Sequence, residues 1–390
     1  MVNYALRLSN AFFVLLFALA CDYYSNSGGN ELLVTFSYSI LGATVLRRGW
    51  DTAMMNVIAS RLLSVSQSFT LFFYLLKKNI YHFVSLLIAM FFLSMFVEAS
   101  PFLFLGLILN IYIAFFMSEV YRGLGKIKLS TILQFFYPYI IGGVCLYFKV
   151  TSSSDYLSHS LLAAFFALLI FYTFKKVQGG CEEKKVDIFL PEIKEKGKNF
   201  FCSQVYNNVA YWSSPIVISL FLSKEYASSF NANFRVGFSS LFIASSLSFV
   251  ALPFISKLVY EGEQSELTKI YRKWVLGFSV LSLFASLIVF SFFIFVEYEF
   301  IYIFFRGFDV ELFLTFYVFS LLCCIFYIFL NVANISIKTK GVWFLLSVSA
   351  LFSLVILSFS LLENSLLGIS IAYSLLLFLP YFLSFLKVRV

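Results

Sequence analysis

Arg235 stands about five residues inside an apolar run, roughly 7 Å deep at 1.5 Å per residue. A charge at that depth is costly in lipid, so it either snorkels outward or faces a water-filled cavity. Its planar fork of donors suits phosphate or pyrophosphate. Other polar residues recur at helical spacing. Asn3, Arg7 and Asn10 share one face, as do Ser203, Asn207, Tyr211 and Ser214, with Asn208 beside them. Ser320, Cys324, Tyr327, Asn331, Asn334 and Lys338 make a third stripe. Interhelical hydrogen bonding and cavity lining both account for such stripes.

Arg47, Arg48 and Asp51 end an apolar run. Ordinary basic anchoring explains them, and the functional alternative is an entry site for an anionic headgroup. Glu98 and Glu119 bracket two further runs, either as solvated interface residues or, with Asp51, as groups for proton or cation coupling. Enzyme chemistry has no such foothold. His82 and His159 lie in different loops near opposite membrane faces, which argues against a His-based metal site or triad, and no phosphate-cradling P-loop is present. No cofactor or metal is expected, and the six cysteines read as small apolar packers.

The elements that would position these residues are membrane helices. Only 12% of the 390 residues are charged, against about a quarter in soluble domains, and mean hydropathy is +0.92. Apolar runs lie at about 5–24, 31–48, 79–97, 101–119, 129–149, 157–174, 200–222, 231–254, 275–296, 312–333, 342–361 and 366–386. Each approaches the 20 residues that cross about 30 Å of hydrocarbon. The first run ends in an ALAC sequence at 18–21, faintly like a lipoprotein signal, but an uncleaved first helix is the expectation. Longer connections fall at 49–78, 175–199 and 257–274. Prolines 138, 215, 253 and 380 and Gly142–Gly143 allow kinks in or at the ends of runs. Many tyrosines sit near run ends, as an interfacial belt requires.

With the N-terminus placed in the cytoplasm, 24 of the 28 Lys and Arg fall on the inner side, while the acids divide evenly. The exceptions are Lys149, Lys224, Arg235 and Arg306. A bias confined to basic residues is the positive-inside signature. It places both termini inside, and it explains the net charge of +8 without nucleic acid. The polar stretch 175–199, with Gly179–Gly180 and Pro191, reads as a cytoplasmic linker. It separates an N-terminal six-helix lobe (1–174) from a C-terminal six-helix lobe (200–390). EVYRGLGKIKLS at 119–130 faintly echoes NISIKTKGVWF at 334–344, an offset of a little over 200 residues. The expected fold is therefore an all-α membrane protein of about twelve transmembrane helices.

GATVLRRGWDTA at 42–53, YASSFNANFR at 226–235 and LPFISK at 252–257 resemble the polysaccharide-export flippases, O-antigen (Wzx-type) members included, of the multidrug/oligosaccharidyl-lipid/polysaccharide exporter superfamily. Leu267 to Lys273, and Asn331 with Lys340–Gly341, extend the similarity. Relatives often carry an acid early in span 7, where this chain has Asn207 and Asn208. The resemblance implies a V-shaped two-lobed flippase bundle in the bacterial inner membrane, serving O-antigen lipopolysaccharide biosynthesis and polysaccharide transport. It would move an undecaprenyl-pyrophosphate-linked oligosaccharide by alternating access, with a polymerase and a chain-length regulator as possible partners. By motif, Arg235 would be a cavity residue meeting the anionic substrate. Two alternatives stay open. One is an O-antigen polymerase, for which a large basic loop would be expected in the periplasm. The other is a drug or ion antiporter of the same superfamily.

Overall fold

A computed structural model of the chain describes residues 13, 16–21, 23–24, 29–61, 63–96, 101–152, 155–177, 187–222, 224–295, 308–336 and 339–388. Among them there is no strand. Two compact units account for the chain: one holds residues 1–6 and Asn26–Trp212, the other residues 7–25 and Ser213–Val390.

The first unit is built on α1 (Gly29–Arg47), α2 (Trp50–Arg61), α3 (Val65–Lys78), α4 (Ile80–Phe96) and α5 (Pro101–Gly123). It continues with α6 (Ile127–Thr131), α7 (Tyr137–Ser152), α8 (Asp155–Val177) and α9 (Leu190–Trp212). Helix α5 is its hub, packed by α1, α2, α4, α6, α7 and α8. Helix α1 carries hydroxyls where an apolar span would carry leucine. Thr35, Ser37, Ser39 and Thr44 each donate at 2.8 Å to the carbonyl four residues back, which hides the hydroxyl within its own helix. Between α6 and α7 the helix widens into a π turn over Ile132–Phe136, with Tyr137 N–H donating to the Ile132 carbonyl. Pro138 explains it: a proline ring clashes with the carbonyl four residues back, and the extra residue gives it room.

The second unit comprises α10 (Ser214–Phe221), α11 (Lys224–Gly237), α12 (Leu241–Glu261), α13 (Gln264–Phe295), α14 (Val310–Ser336), α15 (Thr339–Leu362) and α16 (Leu366–Val388). Here α14 is the hub, against α11, α12, α13 and α16. Asp309 caps it, accepting from the N–H groups of Glu311 and Leu312. Helices α13 and α15 turn apolar faces outward: Leu276, Leu283, Ile288, Phe344, Leu351 and Phe359 are all exposed. A fold that leaves such faces uncovered presents them to lipid.

By length and apolarity, six helices among the described residues can cross a membrane, or seven if α3 and α4, bent by 68°, form one broken span. The twelve uninterrupted spans expected from the apolar runs are thus not found among these residues. The run at 200–222 breaks at Ser213, before Pro215, and the run at 231–254 breaks into α11, a 3-10 turn (Phe238–Ser240) and α12. Residues 49–78, expected as a connection, form α2 and α3, the latter opened by a Ser64/Gln67 capping box. The basic stretch 257–274 is helical apart from a turn at Gly262, whose φ is +75°. The expected linker 175–199 is already helical from Leu190, inside α9, and the units divide at Trp212 and Ser213.

Candidate functional site

The polar centre of the first unit is the break between α1 and α2. Arg48 and Gly49 both adopt left-handed backbone, at φ of +53° and +68°, and break the helix between α1 and α2. Gly49 is obligatory there: a Cβ would lie 2.3 Å from the Gly197 carbonyl oxygen and the Phe201 nitrogen of α9. The turn leaves Arg47 in the last turn of α1 and Asp51 in the first turn of α2, where the helix dipoles favour a cation and an anion respectively. The two side chains pair at 2.8 Å, and both are buried.

Hydrogen bonds from α9 complete this network. Arg47 Nη2 donates to Thr44 Oγ1 at 3.1 Å, and Asn208 Nδ2 donates to the same oxygen at 2.9 Å. Gln204 Nε2 donates to Thr52 Oγ1 at 2.7 Å and to Asp51 Oδ1 at 3.3 Å. The guanidinium lies over the Phe115 ring, 4.5 Å from its centroid. Arg47 Nε, Gln204 Oε1 and Asn207 Oδ1 are buried without a hydrogen-bond partner. These atoms keep hydrogen-bonding capacity that a polar ligand, a water or a proton can take up.

Arg48 is half-buried and caps the Trp50 ring at 5.4 Å, apart from this network. Glu119, expected at a wet interface, is instead buried and ion-paired with Arg122 one turn on. Arg7, Asn10 and Glu98 lie outside the described residues.

In the second unit Arg235 is 2% exposed, its guanidinium 5.6 Å from the Phe234 centroid. Phe230, Phe234 and Phe238 form one face of the α11 region and pack on Phe316 of α14, while a Cβ on Gly237 would come within 2.5 Å of Phe316 Cβ. Asn231 and Arg235 occupy the adjoining stripe, one turn apart, and Asn231 Oδ1 is buried without a hydrogen-bond partner. Asn331 donates to Ser248 Oγ at 2.8 Å, and Ser320 shares a short hydrogen bond with Ser240. Both residues join α14 to its neighbours.

Structure brings Arg47, Asp51 and Asn208 together and leaves Asn331 and Arg235 in the other unit. Sequence reasoning missed Gln204, Thr44, Thr52 and Asn231. The four-residue spacing of Gln204 and Asn208 was the signal for the first.

No family model and no curated protein matches the sequence. Solved structures do resemble the fold over its whole length. A MATE in complex with MaL6 aligns with TM-score 0.64 at 13% identity, covering 100% of this chain and 94% of that one. A MATE in complex with MaD5 gives 0.61 at 14% identity, covering 100% and 93%. An outward-facing multidrug resistance MATE family transporter of the MOP superfamily gives 0.63 at 14%, covering 100% and 94%. The chain therefore has the MATE fold.

Proposed function

We propose that this chain is a secondary transporter of the MOP superfamily, an antiporter that exports its cargo by alternating access. The observation that carries the reading is the MATE fold over the full chain. In this reading Asp51 is the coupling acid. A proton or cation arriving at Asp51 neutralises it and loosens Arg47, Thr44 and Gln204 together, because all depend on the same carboxylate or its partner. The buried pair is then a two-state element biased by ion binding.

The second reading, a flippase for a lipid-linked oligosaccharide, is favoured by Arg235 in its YASSFNANFR context. A guanidinium buried in the fold beside Asn231 matches a pyrophosphate better than an organic cation.

The test uses the purified chain in proteoliposomes under an imposed proton or sodium gradient, with two cargoes supplied in parallel. Gradient-driven uptake of an organic cation, lost in Asp51→Asn, is the expected outcome. Movement of a fluorescent undecaprenyl-pyrophosphate oligosaccharide, lost in Arg235→Ala, selects the flippase. Neither activity at normal incorporation refutes transport by this route.

A further inference from the structure

Helix α13 carries three cations within about one turn, Lys269, Arg272 and Lys273, and all three are exposed. At helical spacing Leu276 follows on the same side, then Val280, Leu283 and Leu287, and these are exposed too. From Lys273 to Leu283 the helix rises about 15 Å, half the hydrocarbon thickness of a bilayer. One face of a helix long and apolar enough to cross a membrane therefore runs from charge straight onto open apolar surface.

The rotation of that face is fixed from behind. Leu267 and Phe278 are buried, and Tyr271, Trp274 and Val275 pack on the cluster of Ile255, Leu258 and Phe329. Trp274 Nε1 donates to the Cys324 carbonyl at 3.2 Å. The acids of the α12–α13 hairpin lie toward its tip. Glu261 pairs with Lys257 at 3.7 Å and Glu266 with Lys269 at 2.7 Å, while Glu263 follows the Gly262 turn. Arg272 and Lys273, the two cations next to the apolar surface, make no ion pair among the described residues. Glu266 feels the Lys273 charge without contact.

We propose that this face of α13 binds an anionic phospholipid of the surrounding bilayer. The phosphate sits between Arg272 and Lys273, and an acyl chain lies along Leu276, Val280 and Leu283. Attraction between a negative membrane surface and a nearby Lys or Arg amounts to about fivefold in binding. Two unpartnered cations should thus favour an anionic lipid over phosphatidylcholine by about tenfold or more. The inference needs α13 to cross the membrane and is independent of the cargo.

Photo-crosslinking tests it on the full chain, in phosphatidylcholine nanodiscs with a small fraction of lipid carrying a diazirine in its acyl chain. A phosphatidylglycerol probe should label 276–287 about tenfold more than a phosphatidylcholine probe. Arg272→Gln/Lys273→Gln should bring the two probes level. Arg272→Lys, which keeps the charge, and Lys257→Gln, on the neighbouring helix, should retain the preference. The outward face of α15, where Lys340 is the one basic residue of the helix, is the reference within each sample and should show a smaller preference. Unchanged α15 labelling in the double variant certifies its insertion. Equal labelling of 276–287 by the two probes overturns the proposal. So does a preference that survives the double variant, or one that α15 matches.

Discussion

Arg47 and Asp51 are costly to bury and costly to separate. Removing one partner of a buried ion pair typically costs about 3–5 kcal/mol, whereas replacing both by apolar residues of similar volume is often neutral. A stability role and a transport role therefore part company in a double substitution. Arg47→Met and Asp51→Leu should each lower Tm and yield, and the two together should restore most of the loss. Transport should remain absent in the double variant if Asp51 couples the ion. Recovered transport alongside recovered Tm would reduce the pair to a structural staple. Both residues and Asn208 were visible in the sequence because charge or amide in an apolar run stands out. Gln204 and Thr44 stood out far less, since a glutamine past the middle of a long mixed helix and a threonine among hydroxyls carry little such contrast. Their roles come from the crossing of α1 and α9, which no local pattern encodes.

The α1–α2 turn decides how elements meet. Gly197 of α9 packs on Trp50, where a Cβ would come within 2.6 Å of Cδ1, and Gly49 sits against the α9 backbone. Small residues at such a crossing let the two backbones touch. Gly125 offers a matched control: its φ of +73° is equally left-handed, yet nothing lies within 4 Å of its would-be Cβ. Gly125→Ala should cost only backbone strain, about 1 kcal/mol, and Gly49→Ala should cost distinctly more because α9 must also move. Equal drops in Tm would mean that the close approach of α9 contributes nothing.

A second tie joins α3 to the stretch before α9. Tyr74 Oη and Lys78 Nζ donate to Asp187 at 2.8 and 3.2 Å, and these hydrogen bonds hold its carboxyl below the usual range. A depressed pKa means that the tie is present above the ordinary carboxylate pKa and is lost as pH falls through the lowered value. Proteolysis within 187–190 should therefore be unchanged from pH 8 to 5. Asp187→Asn should make that segment more sensitive at neutral pH, and no difference between the two would remove the tie. Residues 49–78 read as a connection because α2 and α3 are short and mixed in polarity. Asp51 to Ile58 is nonetheless buried throughout, by neighbours rather than by lipid. Apolar length identifies helices that face hydrocarbon, and such internal helices escape it.

At the scale of the whole molecule, the apolar runs were enough for an all-helical membrane protein, because α13 and α15 turn uninterrupted apolar faces outward. The break at Gly49 falls where the apolar run 31–48 ends, but those at Ser213 and Phe238–Ser240 were illegible, since they interrupt the backbone without interrupting hydropathy. Orientation rests on a different physical quantity, the distribution of basic side chains at helix ends. Lys257 lies near the end of α12, Lys269 and Arg272 lie in the first third of α13, and Gly262 turns between the two helices. The α15–α16 turn instead carries Glu363 and Asn364 and no basic residue. The positive-inside rule puts the first turn in the cytoplasm and the second outside. A cysteine-free variant given Cys at 262 or 364 reports this directly in intact cells. Impermeant maleimide should label 364 and spare 262 until the membrane is opened. The reverse pattern would invert the molecule and move the 175–199 stretch outside, where the polymerase reading expects its basic loop.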